Sequence, residues 1–109
     1  MSASNPKNDA LEPIANLDRV IHEPARLMIM AFLYVVDSAD FIFTLNQTGL
    51  TRGNLSTHMT KLEEAGYLEV KKEFVEKRPL TMLQLTDKGR EALQVYRDSI
   101  QEVMDNLPK

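Results

Sequence analysis

Apolar residues at 14, 17, 20 and 21 recur at helical spacing and predict a short first helix over residues 14–21. Residues 1–12 carry Ser, Asn, Pro, Lys and Asp, with Leu11 the only large aliphatic side chain, and read as a mobile tail. His22-Glu23-Pro24 restarts the chain, because proline suits the first turn of a helix, where its missing N–H is not needed. The second helix runs to about residue 37. Ile29, Phe32, Leu33 and Val36 line one face, and Leu27, Met28, Met30 and Val35 widen it until the helix is nearly apolar all round. Such a helix belongs at the centre of a domain.

Asp40-Phe41-Ile42-Phe43-Thr44 predicts a brief extended piece, with Thr44 capping a third helix that ends at Gly49. Thr51 caps a fourth helix through residue 65, stopped by Gly66. At about 100° per residue, Leu55, Met59, Leu62 and Gly66 fall within about 60° of one another, while Asn54, Thr57, Lys61 and Glu64 fall on the opposite side. Two helices joined by a short glycine-containing turn form a helix-turn-helix. After Tyr67 the period changes to two, in Leu68-Glu69-Val70-Lys71 and again in Leu83-Gln84-Leu85 beyond a break at Pro79. A hairpin with its tip near Glu76-Lys77-Arg78 follows. Thr86 caps a last helix over residues 86–106, with Asp87 at its positive end. On that helix Leu93, Tyr96, Ile100, Val103 and Leu107 repeat at steps of 3, 4, 3 and 4. So narrow a strip suggests a partner helix and hence dimerisation, the alternative being that it folds back on its own domain. The fold class is mainly α with a small β-hairpin, an α+β domain.

Composition keeps this to a single domain, residues 13–107: the chain has 109 residues, 43% apolar and 27% charged. With no cysteine, disulfides, thiolate metal sites and cysteine nucleophiles are excluded. The longest apolar run, residues 27–36, covers half of the roughly 20 residues that a membrane span needs. No cationic start followed by an apolar stretch marks a signal peptide, so the expected location is the cytoplasm. The net charge of −3 is unevenly divided. Residues 51–90 hold eight basic and six acidic side chains, a balance of +2 that leaves −5 for the remainder. One face is thus suited to a polyanion and another repels it.

Catalysis finds no foothold. Gly49, Gly53, Gly66 and Gly89 make neither a dinucleotide fingerprint nor a phosphate loop, and His22 and His58 lack the spacing of a zinc site. Neither a metal nor any other cofactor is expected.

Four segments together resemble the winged-helix transcriptional regulators of bacteria and archaea, most of all the small single-domain members related to the MarR and ArsR regulators. They are His22-Glu23-Pro24-Ala25-Arg26-Leu27, Leu50-Thr51-Arg52-Gly53-Asn54-Leu55-Ser56-Thr57-His58, Leu62-Glu63-Glu64-Ala65-Gly66-Tyr67-Leu68 and Leu85-Thr86-Asp87-Lys88-Gly89-Arg90-Glu91-Ala92-Leu93. The resemblance implies a homodimer that sets two recognition helices in successive major grooves of double-stranded DNA, with the hairpin wings on the backbone or minor groove. Metal-sensing relatives use cysteines or histidine–carboxylate clusters, whereas this chain has no cysteine and only His22 and His58, so metal sensing is not expected.

On that footing Arg52 can donate two hydrogen bonds to guanine and Asn54 can pair with adenine. Ser56 and Thr57 reach phosphates or bases, Lys61 suits phosphate, and the first-turn N–H groups beside Thr51 form a phosphate site. Lys71, Lys72, Lys77 and Arg78 on the hairpin can follow the phosphate chain or enter a narrow minor groove. His58 reads as a partly buried packing residue, and Lys88 and Arg90 as surface charges. The expected function is a sequence-specific regulator, read as a repressor, that binds an inverted-repeat operator as a homodimer. Two alternatives stand beside it. One is a winged-helix module that binds protein, favoured by Glu69, Glu73 and Glu76 on the hairpin. The other is a regulator responsive to a small-molecule effector held between the second and last helices near Phe32, Tyr34 and Tyr96.

Overall fold

The computed structural model describes residues 11–108. Along them run α1 (Glu12–Ala15), α2 (Pro24–Val36), β1 (Ser38–Asp40), α3 (Phe41–Thr48), α4 (Arg52–Glu64), β2 (Leu68–Val75), β3 (Arg78–Leu85) and α5 (Asp87–Asp105). The strands form an antiparallel sheet in the order β1-β3-β2. This is the α+β winged-helix architecture expected from the sequence. The tail expected over residues 1–12 lies outside the described residues except for Leu11 and Glu12, and Glu12 opens α1.

α2 is the central helix. Pro24 occupies its first turn, and the Glu23 carboxylate accepts a hydrogen bond from Arg26 N–H at 2.8 Å. Its Ile29, Met30 and Leu33 are fully buried, as are Ile21 ahead of it, Leu55 and Leu62 of α4 and Leu83 of β3; Ala39, Met59, Leu68, Leu85 and Tyr96 complete the core. Each fully buried large side chain of this kind stabilises the domain by roughly 1.5–3 kcal/mol.

Three local expectations need correction. Helix stops at Ala15 because the Asp18 carboxylate accepts from Val20 N–H at 2.8 Å and Ile21 N–H at 3.3 Å, turning the chain. The spacing of Leu17, Val20 and Ile21 therefore reports burial, not helix. The extended piece is Ser38–Asp40, and Asp40, not Thr44, caps α3 by accepting from Phe43 N–H at 2.8 Å. Starting there puts Phe41 and Leu45 one turn apart against the core, while Thr44 is buried and donates its hydroxyl to Asp40 O at 2.9 Å. Pro79 does not break the hairpin, since it lies within β3 opposite Phe74. β1 pairs with β3 only as far as Met82, so at Pro79 the strand has a single neighbour and tolerates the missing N–H.

One junction fixes α4 relative to the wing and to α5. Gly66 (φ +82°) ends α4, with Tyr67 N–H bonded to Leu62 O at 3.0 Å and Gly66 N–H to Glu63 O at 2.9 Å. Thr86 N–H donates to Tyr67 O at 3.0 Å, and the Thr86 hydroxyl donates to Gly66 O at 2.6 Å while accepting from Gly89 N–H at 2.9 Å. A Cβ on Gly89 would stand 2.3 Å from Tyr67 O, so only glycine lets α5 start this close. The Tyr67 hydroxyl donates to Asp18, and burial together with that carboxylate pushes its pKa up to about 12.

Candidate nucleic-acid interface

The burial of Leu55, Met59 and Leu62 settles which way α4 faces. Arg52, Asn54, Ser56, Thr57 and Lys61 are exposed, and among the described residues none of their side chains makes a hydrogen bond or ion pair within the domain. Thr51 is also exposed, but its hydroxyl accepts from Asn54 N–H at 3.1 Å, so its work is to cap the helix. Gly53 has nothing within 4 Å of where a Cβ would sit, leaving bare backbone between Arg52 and Asn54. The helix start thus presents a guanidinium, a carboxamide and short hydroxyls with no bulk between them, which is what reading base edges in a major groove requires.

His58 is turned from this face. Its Nδ1 lies 3.2 Å from an Arg26 guanidinium nitrogen and 3.9 Å from Glu23 Oε1, which joins α4 to the start of α2. The Arg26 N–H bond is the main reason the Glu23 carboxyl is held below its usual range; burial opposes this, and His58 and the Arg26 charge assist.

The wing carries the remaining cations in unequal positions. Lys71 lies 3.7 Å from Glu69 on the same face of β2 and is partly neutralised there. Lys77 sits in a two-residue turn, where Glu76 and Lys77 both have positive φ (52° and 68°), and Arg78 begins β3. Both positive values mark a type I′ turn, built here without glycine. Lys72, Lys77 and Arg78 are exposed and form no ion pair among the described residues. Lys72 and its neighbour Phe74 are the positions whose placement sequence reasoning undervalued. The buried Leu68 and half-buried Val70 put both on the inner face by period two. Lys88 stands 5.8 Å from the Tyr67 ring centre, and Arg90 is held by Asp37 at 2.5 Å and stacks 4.9 Å over Tyr34.

On α5 the expected strip is divided. Tyr96 is buried and its hydroxyl lies 2.8 Å from His22 Nδ1, while Leu93 and Ile100 pack against the core. Tyr96 therefore serves its own domain, because the segment carrying His22 folds over it. Val103 is half-buried and Leu107 exposed. Phe32, Tyr34 and Tyr96 do not converge on one cavity. Phe32 pairs with Phe43 at 5.7 Å, Tyr34 lies under Arg90, and Tyr96 borders a cleft of about 290 Å³ with Asp18, Tyr67 and Lys88. No helix among the described residues is long and apolar enough to cross a membrane.

Comparison with known proteins places this geometry. An uncharacterized protein of Methanocaldococcus jannaschii is 34% identical over 89 residues, spanning 82% of this chain and 97% of that one. The structure of a transcriptional regulator homologue from Pyrococcus horikoshii superposes with a TM-score of 0.84 at 31% identity, covering 94% of this chain and 100% of the other. The PcaV transcriptional regulator of Streptomyces coelicolor, solved with its natural ligand, shares the fold at a TM-score of 0.69 and 18% identity, over 89% of this chain and 67% of its own. The resemblance carried by the four sequence segments agrees with these findings in family and fold. The winged helix DNA-binding domain model matches residues 25–104, which include α4 and the whole wing, and the chain belongs to that family.

Proposed function

We propose that the chain is a sequence-specific transcriptional regulator that binds an inverted-repeat operator as a homodimer, and represses where that operator overlaps a promoter. The observation that carries this reading is the outward face of α4, where Asn54, Ser56, Thr57 and Lys61 are exposed and unengaged away from the buried stripe, with Arg52 exposed and unengaged at the first turn, nearer that stripe. Phosphate contacts by Lys61, Lys77 and Arg78 would set the register, and Arg52 and Asn54 would read bases. Dimerisation is supported by exposed apolar residues, Ile14 on α1 and Met104 and Leu107 at the end of α5, where α1 packs along α5. Two-fold symmetry would set the half-sites about one helical turn, roughly 34–36 Å, apart.

Competition binding tests the proposal: the duplex upstream of the chain's own gene against a shuffled duplex of equal length, at near-physiological salt. A specific regulator of that gene prefers the authentic fragment by about a thousandfold or more. Equal, steeply salt-dependent binding would contradict specificity at this site, and absence of binding even at low salt would overturn the DNA reading.

A further inference from the structure

Strand register divides the wing into two unlike faces. On one, Leu68, Val70, Lys72 and Phe74 of β2 stand opposite Leu85, Leu83, Thr81 and Pro79 of β3. The first two pairs close on the core, and the next two carry the same face outward past it. Phe74 is 76% exposed there, and Pro79 directly across from it is exposed as well. Of the wing's carboxylates, Glu69 and Glu73 alternate onto the opposite face, and Glu76 shares the turn with Lys77. Lys72 stands on the same face as the Phe74–Pro79 plate and Lys77 in the turn beyond it, neither of them ion-paired among the described residues, while Arg78 stands opposite Val75 on the other face.

An apolar plate with one free cation on its face and another at the turn beside it complements a surface that is anionic at its rim and apolar within. The minor groove of DNA is such a surface, with phosphates along both edges and stacked bases between them. We infer that Phe74, backed by Pro79, is a wedge that enters a base step from the minor groove and kinks the duplex, while Lys72 and Lys77 hold the flanking phosphates. The inference rests on the DNA-binding reading above and adds to it a deformation that α4 cannot supply. It also assigns a preference at positions α4 does not touch: pyrimidine–purine steps, TA above all, unstack most readily and should be favoured under the wing.

The chain has no tryptophan, so Phe74→Trp introduces a single reporter at the wedge, with Val35→Trp on α2 as an exposed control. Each is titrated with fluorescein-labelled duplexes, one containing TA steps and one built from G·C pairs alone, while anisotropy reports binding. The expected result is quenching and loss of solvent sensitivity at position 74 with the TA duplex, and an unchanged signal at position 35. Phe74→Ala should weaken binding by about tenfold with the salt dependence unchanged, since stacking and not charge is lost. It should also abolish DNA bending measured by end-to-end energy transfer. Anisotropy that rises without a change in the indole signal at position 74, or bending that survives Phe74→Ala, overturns the wedge and leaves DNA binding standing. If the wild-type chain moves the anisotropy of neither duplex, the DNA reading falls and the wedge with it. Quenching of the Phe74→Trp reporter that follows protein concentration without DNA would mean that a second copy covers the plate, and would overturn it too.

Discussion

Arg52 and Arg78 are both exposed arginines, but their surroundings give them different tasks. Arg52 is the first residue of α4, exposed where the helix begins and next to a glycine that clears its flank. Arg52→Ala should cost about 1–3 kcal/mol of binding and relax preference at one base position, measured by competition among operator variants. Arg78 lies at the wing's tip, and Arg78→Ala should weaken all sequences alike and reduce the slope of log K against log salt by about one. A changed sequence preference in Arg78→Ala would reverse this division of labour. Glu23 makes a prediction about pH. Its folded carboxyl titrates below the free value of 4.5, so its stabilising effect is complete above that pH and is lost as pH falls through the folded value. The stability gap between wild type and Glu23→Gln, followed by thermal unfolding, should be open at pH 7 and close on acidification.

Much of the element pattern was legible in the chain because caps and stops are chemical. Thr51, Gly66 and Thr86 each stand where the expected boundary falls. Other signals competed. Asp40 and Thr44 both suit an N-cap, and only tertiary packing of Phe41 and Leu45 selects Asp40. Pro79 looks like a break unless one knows that β1 is too short to reach it. The site was legible as a helix face and a cationic hairpin, but the pairing of Lys71 with Glu69 and the engagement of Arg90 by Asp37 and Tyr34 depend on how strands and helices meet. Two glycines test the element scale in opposite directions. Gly53→Ala meets open space in a first helical turn and should stabilise the fold by up to about 1 kcal/mol while weakening DNA binding, by placing a methyl where backbone would approach the groove. Gly89→Ala drives a methyl into Tyr67 O and should lower the melting temperature enough to separate the two variants in a single thermal scan.

Across the whole molecule, the +2 balance of residues 51–90 coincides with α4, the wing and the start of α5, and the acidic excess lies in the rest of the chain. That polarity favours one orientation of approach to a polyanion. For the proposed dimer, sedimentation of wild type against a Met104→Asp, Leu107→Asp double variant should show a shift toward monomer; identical sedimentation would place the interface elsewhere. Tyr67 bridges the junction to Asp18, and its raised pKa means that it stabilises the fold fully below pH 10 and loses that contribution as pH rises toward about 12. Tyr67→Phe should remove that alkaline dependence in a pH series of unfolding midpoints. The strand order β1-β3-β2 also leaves β2 as an open rim of the sheet, eight residues long, onto which a stray strand from another molecule could hydrogen-bond. Glu69, Lys71 and Glu73 on one face and Lys72 on the other put charge along both sides of that rim, a composition that discourages apolar strands from adding to it and leaves the wing uncovered for use.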